Sequence, residues 1–325
     1  MKLPRRQFLH LAAGAAALPL APHIARAQAY PSRPVRLIVP FAPAGTTDIL
    51  ARLMGQWLSE RLGQQFVIEN RPGASTITGT EAVVRAPADG YTLLLAGTPS
   101  AINATLFEKL SYNFLRDIAP VAGVMRVPNV MTVHPSFPAK SVPELIAYAK
   151  ANPGKINQGS PGAGTSTHMA GELFKAMTGT DIVQVQYRGS APVLTDLLAG
   201  QVQLGFEPLS ASIEYIRAGK LRALAVSTLA RSQALPDVPT VNEFVPGYES
   251  SGWYGVAAPK NTPAEIVDKL NKEINAALAD PKLKARLVDL GGTTLAGSPA
   301  DFGKLIADET EKWGKVIRAA NIKPE

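Results

Sequence analysis

Ten residues from Gly159 to His168, GSPGAGTSTH, combine three glycines with four hydroxyl side chains. They lie between a strand pattern and a helix pattern, the position in which phosphate-binding loops occur. Three kinds of chemistry use such a segment: a nucleotide-binding loop, the nucleophile turn of a hydrolase, and a loop that holds an anion through backbone N–H groups. The exact spacing of the residues separates these three.

The nucleotide-binding templates fail within this segment. A dinucleotide fingerprint G-x-G-x-x-G that starts at Gly162 needs a glycine at Thr167, and a phosphate loop G-x-x-x-x-G-K-[ST] that starts at Gly159 needs a lysine at Thr165. Without the lysine charge, polyphosphate is a poor ligand. One or two carboxylate groups remain suitable.

The hydrolase template is also incomplete, because neither Ser160 nor Ser190 lies in a G-x-S-x-G elbow. Ser166 and His168 are too close in the chain to be judged as a catalytic pair, and His168 could instead cap the following helix or hydrogen-bond with its neighbours. The chain has no cysteine, and only His134 and His168 follow residue 27, so a Cys–His pair and a centre of several imidazoles are excluded. We expect no enzyme activity, metal or cofactor, and keep an exported α/β hydrolase as an alternative.

Five segments rich in glycine, serine and threonine each follow a predicted strand and precede a predicted helix. They are residues 42–47, 72–78, 97–102, 159–168 and 188–192. In open α/β sheets such loops meet beyond the carboxyl ends of the strands, where helix N-termini favour an anion. Two helix starts from opposing lobes could hold a carboxylate with little help from charged side chains.

Several other polar and aromatic residues have two interpretations each. Asp48 could order a ligand water or favour the helix N-terminus beside it. Arg188 could pair with a ligand carboxylate or brace its loop, and Glu207 could accept a ligand hydroxyl or form a surface ion pair. Trp253 and Tyr254 could line a cleft or pack a hinge.

Strand and helix patterns alternate along the chain in two blocks, with helices expected at residues 48–62, 169–177 and 193–199. The alternation predicts an α/β protein with two lobes, each a mainly parallel sheet flanked by helices, and a ligand cleft between them. No flexible linker separates the blocks, so the chain should cross as strands at residues 130–133 and 256–258. One lobe then comprises residues 28–129 and 252–325, and the other residues 130–251.

Three segments have the spacing of a capping box, with a hydroxyl residue three positions before a carboxylate. They begin at Ser141, Thr262 and Ser298. Each predicts the start of a helix.

The first 27 residues predict an export signal: a basic start, an apolar run and small residues suited to cleavage. The RRQFL run within them resembles a twin-arginine signal. The net charge of the chain is +7, and Lys2, Arg5, Arg6 and Arg26 account for four positive charges, so seven minus four leaves about +3. That small charge argues against a nucleic-acid surface. We expect a soluble periplasmic protein.

Six segments carry a family resemblance. They are YPSRPVRLIVPFAPAGTTDILAR, ENRPGASTITG, ADGYTLLLAGTPSAIN, GSPGAGTSTHMAGELF, YRGSAPVLTDLLAGQVQLGFE and WYGVAAP with the following TPAEIVDKLN. In this order they resemble the Bug family, the solute receptors of tripartite tricarboxylate transporters. The resemblance covers essentially the whole chain after residue 27.

The resemblance implies a two-lobed receptor that closes on a small carboxylated organic acid. It implies one binding arm in residues 41–48, a second arm in residues 160–168 and 188–191, and a wall in residues 97–103. The implied contacts are Phe41, Ala44, Gly45, Thr46, Asp48, Thr98, Ser100, Ala101, Ser160, Gly164, Thr165, Ser166, His168, Arg188, Gly189, Ser190, Ala191 and Glu207. The chain departs from the family at Ala44, where glycine is common, and at Glu207, where aspartate is usual.

The resulting prediction is a monomeric solute-binding protein that works with membrane transporter subunits. A receptor that passes its signal to a sensor protein stays open as an alternative, because it would bind the ligand in the same way. The acid itself cannot be named, since backbone amides recognise any carboxylate.

Overall fold

The computed structural model describes residues 30–107 and 109–324. The export signal predicted for residues 1–27 lies outside this part of the chain. Across the two described ranges, no helix combines the length and the apolar character needed to cross a bilayer.

The strands are short except for two that run through the middle of the molecule. They are β1 (Val35–Val39), β2 (Phe66–Asn70), β3 (Thr92–Gly97), β4 (Ile118–Val133), β5 (Asn157–Ser160), β6 (Val183–Gln186), β7 (Leu204–Pro208), β8 (Arg222–Val226), β9 (Ser251–Pro259) and β10 (Thr293–Thr294).

Helices follow most of the strands. They are α1 (Thr46–Leu62), α2 (Ile77–Val84), α3 (Thr98–Leu106), α4 (Phe114–Asp117), α5 (Val142–Ala151), α6 (Ser166–Thr178), α7 (Ser190–Leu198), α8 (Leu209–Arg217), α9 (Ala264–Ala279), α10 (Pro281–Asp289) and α11 (Pro299–Ala319).

Two sheets share strand β4. The first sheet has the order β2-β1-β3-β9-β4, and the second has the order β8-β4-β7-β5-β6. The pairs β2-β1, β1-β3, β7-β5 and β5-β6 are parallel, as the alternating pattern predicts. Strands β4 and β9 are antiparallel to their neighbours, so each sheet is mixed.

Strand β4 passes from one sheet to the other without a loop. Residues 118–128 pair with β9, and residues 129–133 pair with β7 and β8. Residues 130–133 therefore lie in the second sheet, next to the passage. The crossing predicted at residues 256–258 is wrong, because the whole of β9 pairs within the first sheet. The pairing of β4 with β8 shifts register between Met131 and Thr132, just beyond the point where β4 changes sheets.

There are two main apolar cores, one at each sheet, and the first also includes Leu209 and Ile213 of α8. Leu50 and Met54 of α1 pack on β1 and β3 in the first core, and Phe174 and Phe206 meet beside Tyr248 in the second. Full burial of a side chain such as Leu50 is worth roughly 1.5–3 kcal/mol. These cores hold the helices against the sheets.

A smaller apolar cluster joins the two halves. Ile102 and Leu106 of α3 contact Met169 of α6, together with Trp313 and Ile317 of α11. Since α3 follows a strand of the first sheet and α6 follows a strand of the second, this cluster packs the second half of α3 against the first turn of α6.

Two of the three predicted capping motifs are confirmed. The Ser298 hydroxyl and the Asp301 carboxylate form a reciprocal capping box before α11, and the Ser141 hydroxyl accepts a hydrogen bond from the Glu144 N–H before α5. The capping box predicted at Thr262 is wrong. Its hydroxyl donates to the Pro259 carbonyl, in the turn that ends β9, and α9 starts without a side-chain cap.

Candidate functional site

Several helices begin shortly after strands of the two sheets, at the carboxyl ends where open α/β sheets bind ligands. Helix α1 begins at Thr46, α6 at Ser166 and α7 at Ser190. Sequence reasoning placed these starts two or three residues later, at 48, 169 and 193, which was wrong. The hydroxyl residues therefore belong to the first helical turns, whose N–H groups have no partner within the helix and favour an anion.

Direct contacts join the start of α1 to α8 and to β9. The Thr46 and Ser210 hydroxyl oxygens are 2.6 Å apart, so the start of α1 touches the first turn of α8. The Tyr254 hydroxyl on β9 lies close to the Thr46 and Thr47 hydroxyl groups. We call the space bounded by the first turns of α1, α6, α7 and α8 and by residues 252–254 the ligand cleft.

The loop between β1 and α1 is braced by Asp48. Its buried carboxylate accepts hydrogen bonds from the Ala44 N–H at 3.0 Å, from Arg52 at 2.9 and 3.1 Å, and from the Asn70 amide at 3.0 Å. Burial alone would raise the pKa of Asp48, but the hydrogen bonds from Arg52, Ala44 and Asn70 lower it below its usual range. Asn70 also donates to the Phe41 carbonyl. Asp48 thus fixes the loop shape.

Ala44 and Gly45 form the exposed tip of this loop. Ala44 has a φ of +69°, in the left-handed region that favours glycine, whereas Gly45 has an ordinary φ of −83°. Neither residue carries a polar side chain. Any contact that they make with an anion is therefore through their backbone groups.

The Gly159–His168 segment is held together by its own hydroxyl groups. The Thr165 hydroxyl donates to the Gly162 carbonyl at 2.7 Å and accepts from the His168 N–H at 3.2 Å, which makes Thr165 the N-cap of α6. The buried His168 ring accepts a hydrogen bond from the Gly164 N–H at 3.4 Å. Ser160 is also fully buried. His168 therefore hydrogen-bonds within its own loop, one of the two roles considered for it.

Gly164 lies against α3 of the other half. Its φ is +72°, and a Cβ atom at this position would stand 2.8 Å from the Asn103 Oδ1 atom and 3.2 Å from a Leu106 methyl group. Only glycine allows this conformation and this approach without displacement of α3. The second arm therefore contacts the first half directly.

Ser166 is tied to the strand that passes between the sheets. Its hydroxyl donates to the Asn129 Oδ1 atom at 3.3 Å, and its carbonyl accepts hydrogen bonds from Asn129 at 3.2 Å and from the Ser250 hydroxyl at 3.3 Å. Sequence reasoning missed Asn129 and Ser250. An asparagine inside the apolar run VPNVMTV was the available signal, since buried polar groups need partners.

The expected wall at α3 is mostly buried. The Thr98 hydroxyl accepts a hydrogen bond from the backbone N–H of Trp253 at 2.9 Å, which fixes β9 to the start of α3. Ser100 is 4% exposed and Ala101 is buried beside Trp253. Trp253 is fully buried in an apolar core, whereas Tyr254, the next residue, lies close to Thr46 and Thr47, so β9 supplies one aromatic side chain to the site.

The loop before α7 is the most accessible part of the site. Arg188 and Ala191 are exposed, while Gly189, with a φ of +107°, and Ser190 are half-buried. Within residues 30–107 and 109–324, the Arg188 guanidinium forms no ion pair. It is therefore free to meet an anion.

Glu207 is fully buried at the end of β7. Neither of its carboxyl oxygens has a hydrogen bond of normal geometry. Burial raises the pKa of Glu207 to about 8, and the nearby Ser190 hydroxyl offsets only part of that effect. Burial likewise raises the pKa of Tyr254 to about 12, with Glu207 adding to the shift. At neutral pH the Tyr254 phenol is uncharged and the Glu207 carboxyl group is mostly protonated.

These placements divide the expected site residues into two groups. Thr46, Ser190 and Glu207 come together around Tyr254, and Arg188 lies exposed at one end of α7. The side chains of Asp48, Thr98, Thr165 and His168 are engaged within their own loops or with β9. No group of three or more histidine, aspartate and glutamate side chains in the described ranges is arranged to hold a metal ion.

Comparison with known proteins identifies the relatives of this chain. A profile described as tripartite tricarboxylate transporter family receptor matches residues 50–322. Protein BugT of Bordetella pertussis is 39% identical over 300 residues, which make up 91% of this chain and 92% of BugT.

Two solved structures from Rhodopseudomonas palustris are also similar. Rpa4515 with adipate has a TM-score of 0.85 and 41% identity, and the match covers 91% of this chain and 100% of that protein. MatC (Rpa3494) with bound malate has a TM-score of 0.84 and 31% identity, with 89% of this chain and 100% of MatC covered. The predicted two-lobed α/β fold is confirmed by these binding proteins.

The family match spans far more than half of the chain, and BugT is matched over nearly its whole length. The family inferred from the six sequence segments is therefore confirmed. Its members are solute-binding receptors and not enzymes. The chain belongs to the family of tripartite tricarboxylate transporter receptors that includes the Bug proteins.

Proposed function

We propose that this protein captures a small dicarboxylate between its two lobes outside the cytoplasm and delivers it to the membrane subunits of a tripartite transporter. The observation that carries the proposal is the meeting of helix starts from both sheets at one cleft, where Thr46 of α1 contacts Ser210 of α8. The similar proteins Rpa4515 and MatC, described with adipate and malate, support a dicarboxylate as the ligand class.

The ligand contacts that we propose are of two kinds. Backbone N–H groups in the first turns of α1, α6 and α7 bind the carboxylate oxygens, helped by Arg188 and Ser190. Asp48, Thr98, Thr165 and His168 keep the loops in the shape that this requires. Such N–H groups stabilise a carboxylate by about 0.3–1 kcal/mol per helix start when exposed and up to about 2 kcal/mol when sheltered.

The proposed binding cycle is a closure of the lobes. We assign residues 28–129 and 252–325 to one lobe and residues 130–251 to the other. A ligand favours the closed form only through contacts that both lobes make with it. A dicarboxylate suits this requirement because each lobe contributes helix starts to the cleft. Residues 1–27 would direct export of the protein to the periplasm.

Thermal unfolding of the chain from Gln28 to Glu325 tests this function. Adipate and malate are compared with acetate, a neutral diol and ATP. A ligand present at 100 times its Kd should stabilise the protein by about 2.7 kcal/mol, which raises Tm by several degrees. A rise with ATP, or no rise with any dicarboxylate, contradicts the proposal.

A further inference from the structure

The side chain of Glu207 lies on the α7 face of the second sheet. Its Cγ atom is 3.7 Å from the position that a Cβ atom on Gly205 would take, and Leu197 of α7 approaches the same position at 3.1 Å. The neighbouring residue Phe206 points to the opposite face, where it packs against Phe174 of α6. The Glu207 carboxyl group is thereby directed toward the first turn of α7 and toward Tyr254.

The burial of this carboxyl group lacks the usual compensation. Buried polar groups in proteins are nearly always hydrogen-bonded, and buried charges are paired. Glu207 is 0% exposed, and neither oxygen has a hydrogen bond of normal geometry. The Ser190 hydroxyl lies nearby, but it is outside normal hydrogen-bond geometry, so the carboxyl group keeps a hydrogen-bonding position that no group in the described part of the chain fills.

The charged and titratable groups around Glu207 do not supply a partner. Asp196 of α7 accepts a hydrogen bond from the Tyr187 hydroxyl at 2.6 Å, and Glu214 of α8 pairs with Arg217 at 3.0 Å. Tyr254 on β9 is an uncharged phenol at neutral pH. In the described part of the chain, no cationic side chain contacts Glu207.

These surroundings favour the neutral form of the Glu207 carboxyl group. Burial raises its pKa to about 8, so at pH 7 it is mostly protonated and offers an O–H donor. An ionised carboxylate at the same place would repel an acidic ligand, whereas a neutral acid can donate a hydrogen bond to it.

We propose that Glu207 contacts the ligand as a neutral hydrogen-bond donor, so that this end of the cleft selects an acceptor oxygen of a small acid and loses affinity when Glu207 ionises. This inference rests on the proposed function, because it requires a carboxylate ligand in the same cleft. It makes Glu207 a specificity residue and links binding to proton uptake.

Calorimetric titration with adipate and with malate between pH 6.5 and pH 9 tests the inference. The free acids stay ionised over this range, because aliphatic carboxyl groups titrate near pH 4–5. For the unsubstituted protein, Kd should rise about tenfold between pH 7 and pH 9 as the neutral fraction of Glu207 falls. Glu207→Gln, which stays neutral, should bind with nearly constant Kd.

A matched control is Glu214→Gln, which removes one carboxylate from the exposed surface of α8. Its pH profile should follow that of the unsubstituted protein. A second measurement needs no variant. Titration at pH 8 in buffers of different ionisation enthalpy should show uptake of about half a proton per bound ligand.

Two results would overturn the inference while leaving the proposed function intact. One is a Kd for adipate or malate that stays constant from pH 6.5 to pH 9 in the unsubstituted protein. The other is the same pH dependence in Glu207→Gln, which would place the titrating group elsewhere. Failure of both acids to bind at pH 6.5 overturns the proposed function itself and the inference with it.

Discussion

At the scale of single residues, the structure separates side chains that shape the loops from side chains that are free to meet a ligand. Asp48 illustrates the first kind. Its position at a helix start was predictable, and its four hydrogen bonds were not, because they come from Ala44, Arg52 and an asparagine on β2. Residue type and spacing identify a candidate site residue, but only the fold decides which groups hydrogen-bond with it.

Substitution of Arg188 should change the affinity for the ligand without changing the stability of the fold. Its guanidinium is exposed and forms no ion pair within the described ranges. Arg188→Gln should therefore weaken adipate binding roughly five- to tenfold, the effect of one partly screened charge-assisted contact. Calorimetric titration measures it. Arg217→Gln, which removes an exposed arginine on α8, should leave Kd unchanged, and equal Kd values for the two variants would remove Arg188 from the site.

Glu207 should also make the stability of the unliganded protein depend on pH. Its pKa is about 8 in the folded protein, against an ordinary value of 4.5 when unfolded. Between these values the folded state binds more protons than the unfolded state, so the free energy of unfolding falls as pH rises and levels off above about pH 8. Each pH unit in that window costs at most about 1.4 kcal/mol.

Urea unfolding of the unsubstituted protein and of Glu207→Gln checks this effect. At pH 4.5 the two proteins should differ little, and at pH 8.5 the glutamine variant should be more stable by an amount on the order of a few kcal/mol. A difference that does not grow with pH would mean that Glu207 ionises freely in the folded protein.

At the scale of elements, the interiors of helices and strands were predictable and their first turns were not. The apolar spacing of α1 continues to Leu62 as expected, but its start at Thr46 was placed two residues late. Serine and threonine favour turns and caps as well as first helical turns, so their presence does not fix the boundary. The proposed binding groups lie in these same turns, which is where prediction was weakest.

The loop before α1 contains a local conflict between residue type and conformation. Ala44 has a φ of +69°, where an L-residue costs about 1–2 kcal/mol relative to glycine. Glycine loses more conformational freedom than alanine on folding, and this loss cancels about 0.5–1 kcal/mol of the gain from relieving the strain. Ala44→Gly should therefore raise the free energy of unfolding by up to about 1 kcal/mol, measured by urea unfolding.

Gly45 provides the matched control for that substitution. Its φ is −83°, and a Cβ atom added there would meet no atom within 4 Å. Gly45→Ala should be tolerated, with a change in stability within about 1 kcal/mol. Clear destabilisation by Ala44→Gly would show that the left-handed conformation at residue 44 is not strained.

At the scale of the whole molecule, the sequence predicts two α/β halves joined by strands because no linker separates the two blocks. It does not predict that β4 and β9 run antiparallel to their neighbours. Nor does it predict that Ser166 would hydrogen-bond with Asn129 and Ser250, which are 37 and 84 residues away in the chain. Such contacts depend on how the halves meet, and no local pattern contains that information.

The contact between Thr46 and Ser210 should contribute to closure. It joins the first turns of helices that follow strands of different sheets, with 2.6 Å between the hydroxyl oxygens. A contact made in the closed form and broken in the open form adds to the apparent affinity for ligand. Thr46→Ala and Ser210→Ala should each weaken adipate binding, because either change removes the contact.

A double-mutant cycle measures this coupling. The two substitutions together should weaken binding by less than the sum of their separate effects, with an interaction energy of about 0.5–1.5 kcal/mol, the net worth of a hydrogen bond. The control cycle uses Thr178 and Thr180, whose hydroxyl oxygens are 2.9 Å apart at the opposite end of α6. That cycle should show no coupling in binding. Additive effects at Thr46 and Ser210 would mean that their contact is equally present in the open form and does not drive closure.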